Sequence, residues 1–365
     1  MSLSGTTAAS FSDTISAAVA RSVADSQRPW FRQIAYNEAT GYCIASVDNI
    51  GCYYVVVASG MTTQYETLGH GPVSSLHNVV NHMVAGLACD GAGVVYMADP
   101  THNSIARFGR ERLDPWRLDQ YVLPPDGLAV RRTDRVLLVA IPYSFVIVAL
   151  SLDTGRVCTA LGSGRSGHAD GFGIHVSFRL PSAICCDARG NTYVADLTAV
   201  RLISPAGAVT TIAGDNSLTS SPYVGGCGAA ARFRNLVGIC VDDRGSTVYV
   251  ADARAVYRLL PQLLEEITSP LAAALARTPA ALIDVIASYL PLYAAVSHIA
   301  HAGCDGQEFA QLTSMAFVPP DLDAASLYVC DRGVVRRIDL PERATHAAYC
   351  SSCYPGLASP RSTAK

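Results

Sequence analysis

The stretch Gly167–Gly214, GHADGFGIHVSFRLPSAICCDARGNTYVADLTAVRLISPAGAVTTIAG, decides the fold. Cys185-Cys186-Asp187, then Ala188-Arg189-Gly190-Asn191, then Thr192 to Asp196 has the grammar of strand, glycine-containing hairpin and strand. Val200 to Ile203 continues as a third strand. Ser204-Pro205-Ala206-Gly207 then turns the chain into a fourth, Ala208 to Ala213. A four-stranded antiparallel sheet of this size buries too little surface alone. Repeated and stacked around an axis, such sheets make a continuous core, which is the logic of a β-propeller.

Copies recur on both sides. Gly225–Pro261 and Gly303–Pro341 follow the same grammar, and Ile34–Val56, Gly86–Phe108 and Gly127–Leu150 follow it in more worn form. Aligning the second strands places Cys43, Tyr96, Leu138, Tyr193, Tyr249 and Tyr328 at one position. Two residues later stand Ala45, Ala98, Ala140, Ala195, Ala251 and Cys330, all small, as close sheet-on-sheet packing requires. The next position holds Ser46, Asp99, Ile141, Asp196, Asp252 and Asp331. Six anchors predict an all-β, six-bladed propeller with four antiparallel strands per blade.

The residues Asp170-Gly171, Phe178, Pro181, Ile184, Asp187, Gly190-Asn191, Tyr193 to Asp196, Arg201, Ile203, Gly207, Val209, Thr211 and Ala213-Gly214 give the chain a resemblance. The pattern resembles the NHL repeat family of propellers, closely over Asp170–Gly214 and partially elsewhere between about Phe31 and Leu340. The resemblance implies a propeller fold. It leaves function open, because NHL propellers serve as protein- or RNA-binding modules and as enzyme scaffolds.

The domain plan follows from this register. Residues 1–30 form an N-terminal extension, read as a helix capped by Ser12 with Ile15, Val19 and Val23 on one stripe or as a disordered arm, with closure of the ring by an outer strand as the rival reading. Residues 31–350 form the propeller, and 351–365 a flexible tail. The interval from Tyr249 to Tyr328 is longer than the others by roughly 25 residues, so the fifth blade takes a helical insertion at about 261–294. Ser269-Pro270 and Thr278-Pro279 are helix starts with proline at the first helical position, and Pro291 ends the second helix. In an up-and-down blade this insertion projects from the end opposite the glycine-rich entry loops. There it plugs that face or offers an apolar helix to a partner.

Charge and composition narrow the function. Half of the 365 residues are hydrophobic, enough to bury a large core, and the net charge of -3 supplies no basic footprint for nucleic acid. Lysine occurs only at Lys365, which excludes an internal Schiff-base or phosphate-loop lysine. Most strand cysteines (Cys43, Cys89, Cys185, Cys186, Cys240, Cys330) read as small buried hydrophobes. With no glycosylation sequon and no basic-then-apolar leader, the expected setting is intracellular and soluble, in the cytoplasm, with mitochondrial import left open. The uncharged run Val136–Leu152 reads as two consecutive strands around Pro142 rather than a membrane span.

Chemistry-bearing motifs are sparse. Gly162–Gly173 lacks the lysine of a phosphate loop and reads as a blade-to-blade connection. His70, His77 and His82 match no zinc spacing, Cys350 and Cys353 make half a zinc site at best, and His298, His301 and Cys304 do not share one strand face. The acidic register, Asp99, Asp196, Asp252 and Asp331, is expected to accept hydrogen bonds from the backbone N–H groups that follow it. Arg107, Arg258 and Arg337 share a third-strand register with Leu202 and are expected as an outward, solvated stripe.

By fold, an enzyme would hold a metal in the axial tunnel at the starts of the innermost strands. There the sequence offers only Asp126, with Asn235 nearby, fewer oxygen ligands than a hard cation wants. No catalytic residue and no cofactor is therefore expected. The favoured function is a non-catalytic protein-interaction scaffold whose partner is another protein or peptide, not a membrane. Its recognition face is formed by the entry loops Gly162–Pro181, Gly214–Leu236 and Gly303–Thr313. The alternatives are a metal-dependent hydrolase or lactonase working in the tunnel, and an RNA-binding NHL module, which the acidic charge disfavours.

Overall fold

The computed structural model describes residues 31–37, 42–47, 51–56, 64–67, 85–108, 112–118, 124–215, 226–228, 230–242, 247–261, 294–301, 309, 311–319, 325–331 and 334–340. Their strands assemble into six antiparallel sheets. The first joins β1 (Phe31–Asn37), β2 (Tyr42–Val47), β3 (Gly51–Val56) and β4 (Gln64–Thr67) in chain order. The second joins β5 (Leu87–Cys89), β6 (Val95–Asp99), β7 (Ser104–Phe108) and β8 (Arg112–Arg117). The third holds β9 (Leu128–Arg131), β10 (Val136–Ile141), β11 (Val146–Ser151) and β12 (Val157–Leu161).

In the fourth sheet, β14 (Pro181–Cys186), β15 (Thr192–Asp196), β16 (Ala199–Ile203) and β17 (Ala208–Gly214) form the meander, and the short β13 (Gly171–Phe172) pairs with the outer edge of β17. The fifth repeats that plan with β19 (Leu236–Val241), β20 (Val248–Asp252), β21 (Ala255–Pro261) and β22 (Ala294–His301), edged by β18 (Gly226–Cys227). The last sheet contains β23 (Leu312–Val318), β24 (Ser326–Asp331) and β25 (Val334–Asp339).

The chain is thus an all-β propeller built from four-stranded antiparallel blades. The expectation of six such blades is corrected: five sheets are complete four-stranded blades, and the sixth has three strands among the described residues. The first strands of the sheets pack in cyclic order, β1 against β5, β5 against β9, β9 against β14, β14 against β19, β19 against β23, and β23 back against β1. A polar contact marks the closing junction, where the Ile34 amide donates to Ser314 Oγ at 3.3 Å.

Strand alternation explains how one blade serves two interfaces. Tyr193, Ala195, Leu202 and Ile212 pack with Ile239, Val250, Tyr257 and Leu259 of the following sheet. The intervening Val194, with Ile184 and Ile203, packs with Leu138, Ala140 and Ile147 of the preceding one. The small-residue register behaves as its size predicts: Ala98, Ala140, Ala195, Ala251 and Cys330 are all fully enclosed. Val136–Leu152 forms β10 and β11 around a 3-10 turn at Pro142–Ser144, and among the described residues no helix is long and apolar enough to cross a membrane.

The inner strands carry a second small register that the repeat alignment does not reveal. Opposite the enclosed alanines stand Gly86, Gly127, Ala183 and Gly238. A methyl group on Gly86 would lie 2.1 Å from the carbonyl oxygen of Asp126, and one on Gly127 would lie 2.2 Å from that of Ser182. The backbone of one inner strand therefore touches the backbone of the next sheet directly. This close approach holds the hub of the wheel together.

The N-terminal extension, the helical insertion between β21 and β22, the tail, the histidines at 70, 77 and 82, and Cys304, Cys350 and Cys353 lie outside the described residues.

Candidate functional site

The best-defined surface feature is the connection from β12 to β14, the entry loop into the fourth sheet. It folds on itself: the Gly167 amide donates to the Phe178 carbonyl, Ser177 N–H to the Ala169 carbonyl, and Ala169 N–H to Ser177 Oγ at 2.8 Å. Beneath it lies Arg201 of β16, whose side chain is 0% exposed. One terminal guanidinium nitrogen donates to Asp196 Oδ2 at 2.9 Å and to the Ser177 carbonyl at 3.1 Å. The other donates to Asp170 Oδ1 at 2.8 Å and to the Ala169 carbonyl at 3.0 Å. The guanidinium carbon also stands 5.3 Å from the centre of the Phe178 ring.

The two carboxylates complete the clamp. Asp196 Oδ1 accepts the backbone amides of Arg179 and Leu180, each at 2.7 Å. Asp170 Oδ2 accepts the Thr211 amide at 3.0 Å, and its Oδ1 accepts the Thr211 hydroxyl at 2.9 Å. One buried cation between two anions, with the remaining acceptors supplied by loop carbonyls, offsets the desolvation of the charges and fixes the loop in one shape.

The acidic register thus divides into two kinds. Asp99 Oδ1 accepts the amides of Thr101 and His102, and Asp252 Oδ1 those of Arg254 and Ala255, as expected for a turn that follows the strand. Asp196 reaches back to the segment before β14, and Asp331 Oδ1 accepts the amide of Gln311 before β23. The residue five positions on is Arg201 in one case and Arg336 in the other, each an ion-pair partner of its aspartate. In the Asp252 case that place is taken by Tyr257, whose hydroxyl donates to Asp252 Oδ2 at 2.6 Å. The spacing Asp-x4-Arg was the available sequence signal for the clamp.

The arginine stripe one residue further along is correctly registered, with Arg107, Arg258 and Arg337 opposite Tyr96, Tyr249 and Tyr328, and Leu202 opposite Tyr193. It is not the freely solvated stripe expected. All three arginines are half-buried; Arg107 stands 4.3 Å from the centre of the Trp116 ring, and Arg337 Nε donates to Ser326 Oγ at 3.1 Å.

The two residues considered for a tunnel cation enter from different sheets. Asp126 precedes β9, the exposed Asn235 precedes β19, and β14 lies between those strands in the ring. Among the described residues no three His, Cys, Asp or Glu side chains converge as a metal site. Cys43, Cys89, Cys158, Cys185, Cys186, Cys240 and Cys330 are free thiols. Burial pushes the Cys186 thiol up to about 12 and raises Cys43, Cys185, Cys240 and Cys330 as well.

Comparisons with known proteins give fold-level likeness only. No known family model matches the chain, and no curated protein does. Among solved structures, a protein of unknown function from Bacteroides thetaiotaomicron is 19% identical with a TM-score of 0.48; 60% of this chain is covered, and the chain spans 55% of that protein. Virginiamycin B lyase from Staphylococcus aureus is 10% identical with a TM-score of 0.48, covering 86% of this chain and 85% of the lyase. An auxiliary nutrient binding protein from Bacteroides thetaiotaomicron is 17% identical with a TM-score of 0.45, covering 60% of this chain and 56% of that one.

Proposed function

We propose that this chain is a six-bladed NHL-type propeller acting as a non-catalytic protein-interaction scaffold, with its entry loops as the recognition face. The ring of six inner strands supports counting the three-stranded sheet as the sixth blade. The observation that carries the functional reading is the clamp under residues 162–180. Two carboxylates and a buried guanidinium are committed to holding one loop in one conformation. A loop ordered in advance loses little entropy when it binds, which favours recognition. The free thiols support a reducing, cytoplasmic setting, and the partner on this reading is a protein or peptide.

Affinity capture with the intact chain, beside a variant whose residues 163–175 are replaced by a glycine-serine linker, tests the reading. Partners held by the first and lost by the second are expected. Stoichiometric calcium or zinc in the purified protein, or identical captures by both chains, would overturn it.

A further inference from the structure

The outer edge of a propeller blade is a row of backbone donors and acceptors, and this chain treats its edges unequally. In the fourth and fifth sheets, β13 and β18 pair antiparallel with the outer edges of β17 and β22. In the second, β8 carries Arg112, Asp114, Pro115 and Arg117, the charges and proline that keep an edge strand from pairing. In the first, β4 carries Glu66. β12 has the sequence Val-Cys-Thr-Ala-Leu, with no charge, no proline and no covering strand among the described residues. Its Cys158, Thr159 and Ala160 are exposed, whereas β17, the fourth strand of the next sheet, is mostly buried.

The hydrogen bonds of β11 fix which groups of β12 point outward. Ser151 donates its amide to the Arg156 carbonyl, and Leu152 donates to the Arg135 carbonyl on the opposite side. Alternation then turns Val148 and Leu150 toward β10, so their partners in β12, Ala160 and Val157, direct N–H and C=O away from the sheet. The register shift at Cys158 sets these two outward residues three positions apart instead of two. The next outward amide, that of Gly162, is taken by the Gly173 carbonyl. The open edge therefore spans Val157 to Ala160.

That interval selects the occupant. A regular strand offers outward groups at every second residue and meets only one of the two positions. A second β12, turned antiparallel about a two-fold axis, offers the same interval: Val157 faces Ala160 of the copy, and Ala160 faces its Val157. Neither strand bears a charged side chain, so no like charges stand opposite each other. The same arrangement brings the copy's β11–β12 turn beside Phe172 and Ile174, which are exposed on either side of Gly173; the exposed Tyr143 emerges at that end of the sheet as well.

We infer that the edge of β12 is a self-association site, through which two copies of this chain join their third sheets into one continuous antiparallel sheet. Val157 and Ala160 of each copy exchange backbone hydrogen bonds across the axis. The entry loops of the scaffold reading play no part in this pairing.

Sedimentation velocity of the full chain from about 1 to 200 μM tests it, beside the variants Val157→Pro and Thr159→Lys. Proline removes an amide that points out of the sheet, and lysine sets two like charges near the axis. An unchanged thermal melt identifies a folded variant, and either variant alone decides. A concentration-dependent dimer is expected, with a dissociation constant at least about tenfold higher in each folded variant. A monomer throughout the range would overturn the inference, as would a dimer that a folded variant retains in full. Assembly beyond a dimer would overturn it too, because a two-fold contact closes on itself.

Discussion

The third and fourth sheets are neighbours built from the same repeat, yet they are stabilised in different ways. In the third, every residue of β10, Val136 to Ile141, is buried, and Ile141 occupies the position that Asp196 fills in the fourth. Its core is hydrocarbon alone, and the connection after β10 is a 3-10 turn that leaves Tyr143 outside. The fourth sheet places Asp196 and Arg201 at the matching end and uses them to tie down the loop that enters it. One blade gives up polar chemistry for packing; the other uses a buried charge network to hold a surface loop. The difference shows that the repeat specifies a stackable sheet and leaves the end of the second strand free to specialise.

Exchanging the two solutions breaks the comparison most severely. Ile141→Asp places a carboxylate in a fully enclosed position with no guanidinium to meet it, and should cost at least about 3 kcal/mol of stability in urea denaturation. Arg201→Ala removes the cation between two anions and should cost about 3–5 kcal/mol. Replacing the buried pair together, Arg201→Leu with Asp196→Leu, should recover part of that loss, while proteolysis within residues 162–180 becomes faster because the Arg179 and Leu180 amides lose their acceptor. Stability that stays low with no change in loop cleavage would sink the clamp reading.

The hub offers a finer test. Gly127→Ala drives a methyl group into the Ser182 carbonyl and should cost about 1–3 kcal/mol, whereas Gly238→Ala meets Met315 at 3.3 Å and should cost measurably less. Equal costs would mean that inner-strand contact does not set the spacing between sheets. The smallest effect is chemical. Cys158 is exposed on β12, while burial raises the thiol pKa of Cys43, Cys240 and Cys330. Brief alkylation of native protein at neutral pH, read by peptide mass spectrometry, should therefore label Cys158 ahead of those three without lowering stability.

Much of this was legible in the residues. The strands of the fourth sheet run Pro181–Cys186, Thr192–Asp196, Ala199–Ile203 and Ala208–Gly214, close to the turn-bounded segments expected of Cys185 to Ala213. The alignment that put Tyr193, Ala195 and Asp196 in register with Tyr249, Ala251 and Asp252 holds in the strand pairing. The glycines of the β5–β6 and β14–β15 hairpins were readable as well: Gly93 and Gly190 adopt positive φ beside Asp90 and Asp187, which cap those turns through backbone amides. The clamp was not readable in the same way. Asp196 was visible, but its amide donors lie sixteen and seventeen residues earlier, and the arginines that recur across the repeats occupy the register beside Arg201, not its own.

Sequence by itself determined the sheet, because strand period, turn residues and the small-residue register are local properties that each repeat must satisfy before it can stack. Tertiary structure alone decided which backbone Gly127 would touch, which loop Asp196 would hold, and that Tyr143 would share an end of the wheel with Phe172 and Ile174. Those outcomes depend on atoms brought together by closing a ring, and a linear pattern carries no record of the angle at which one sheet meets the next.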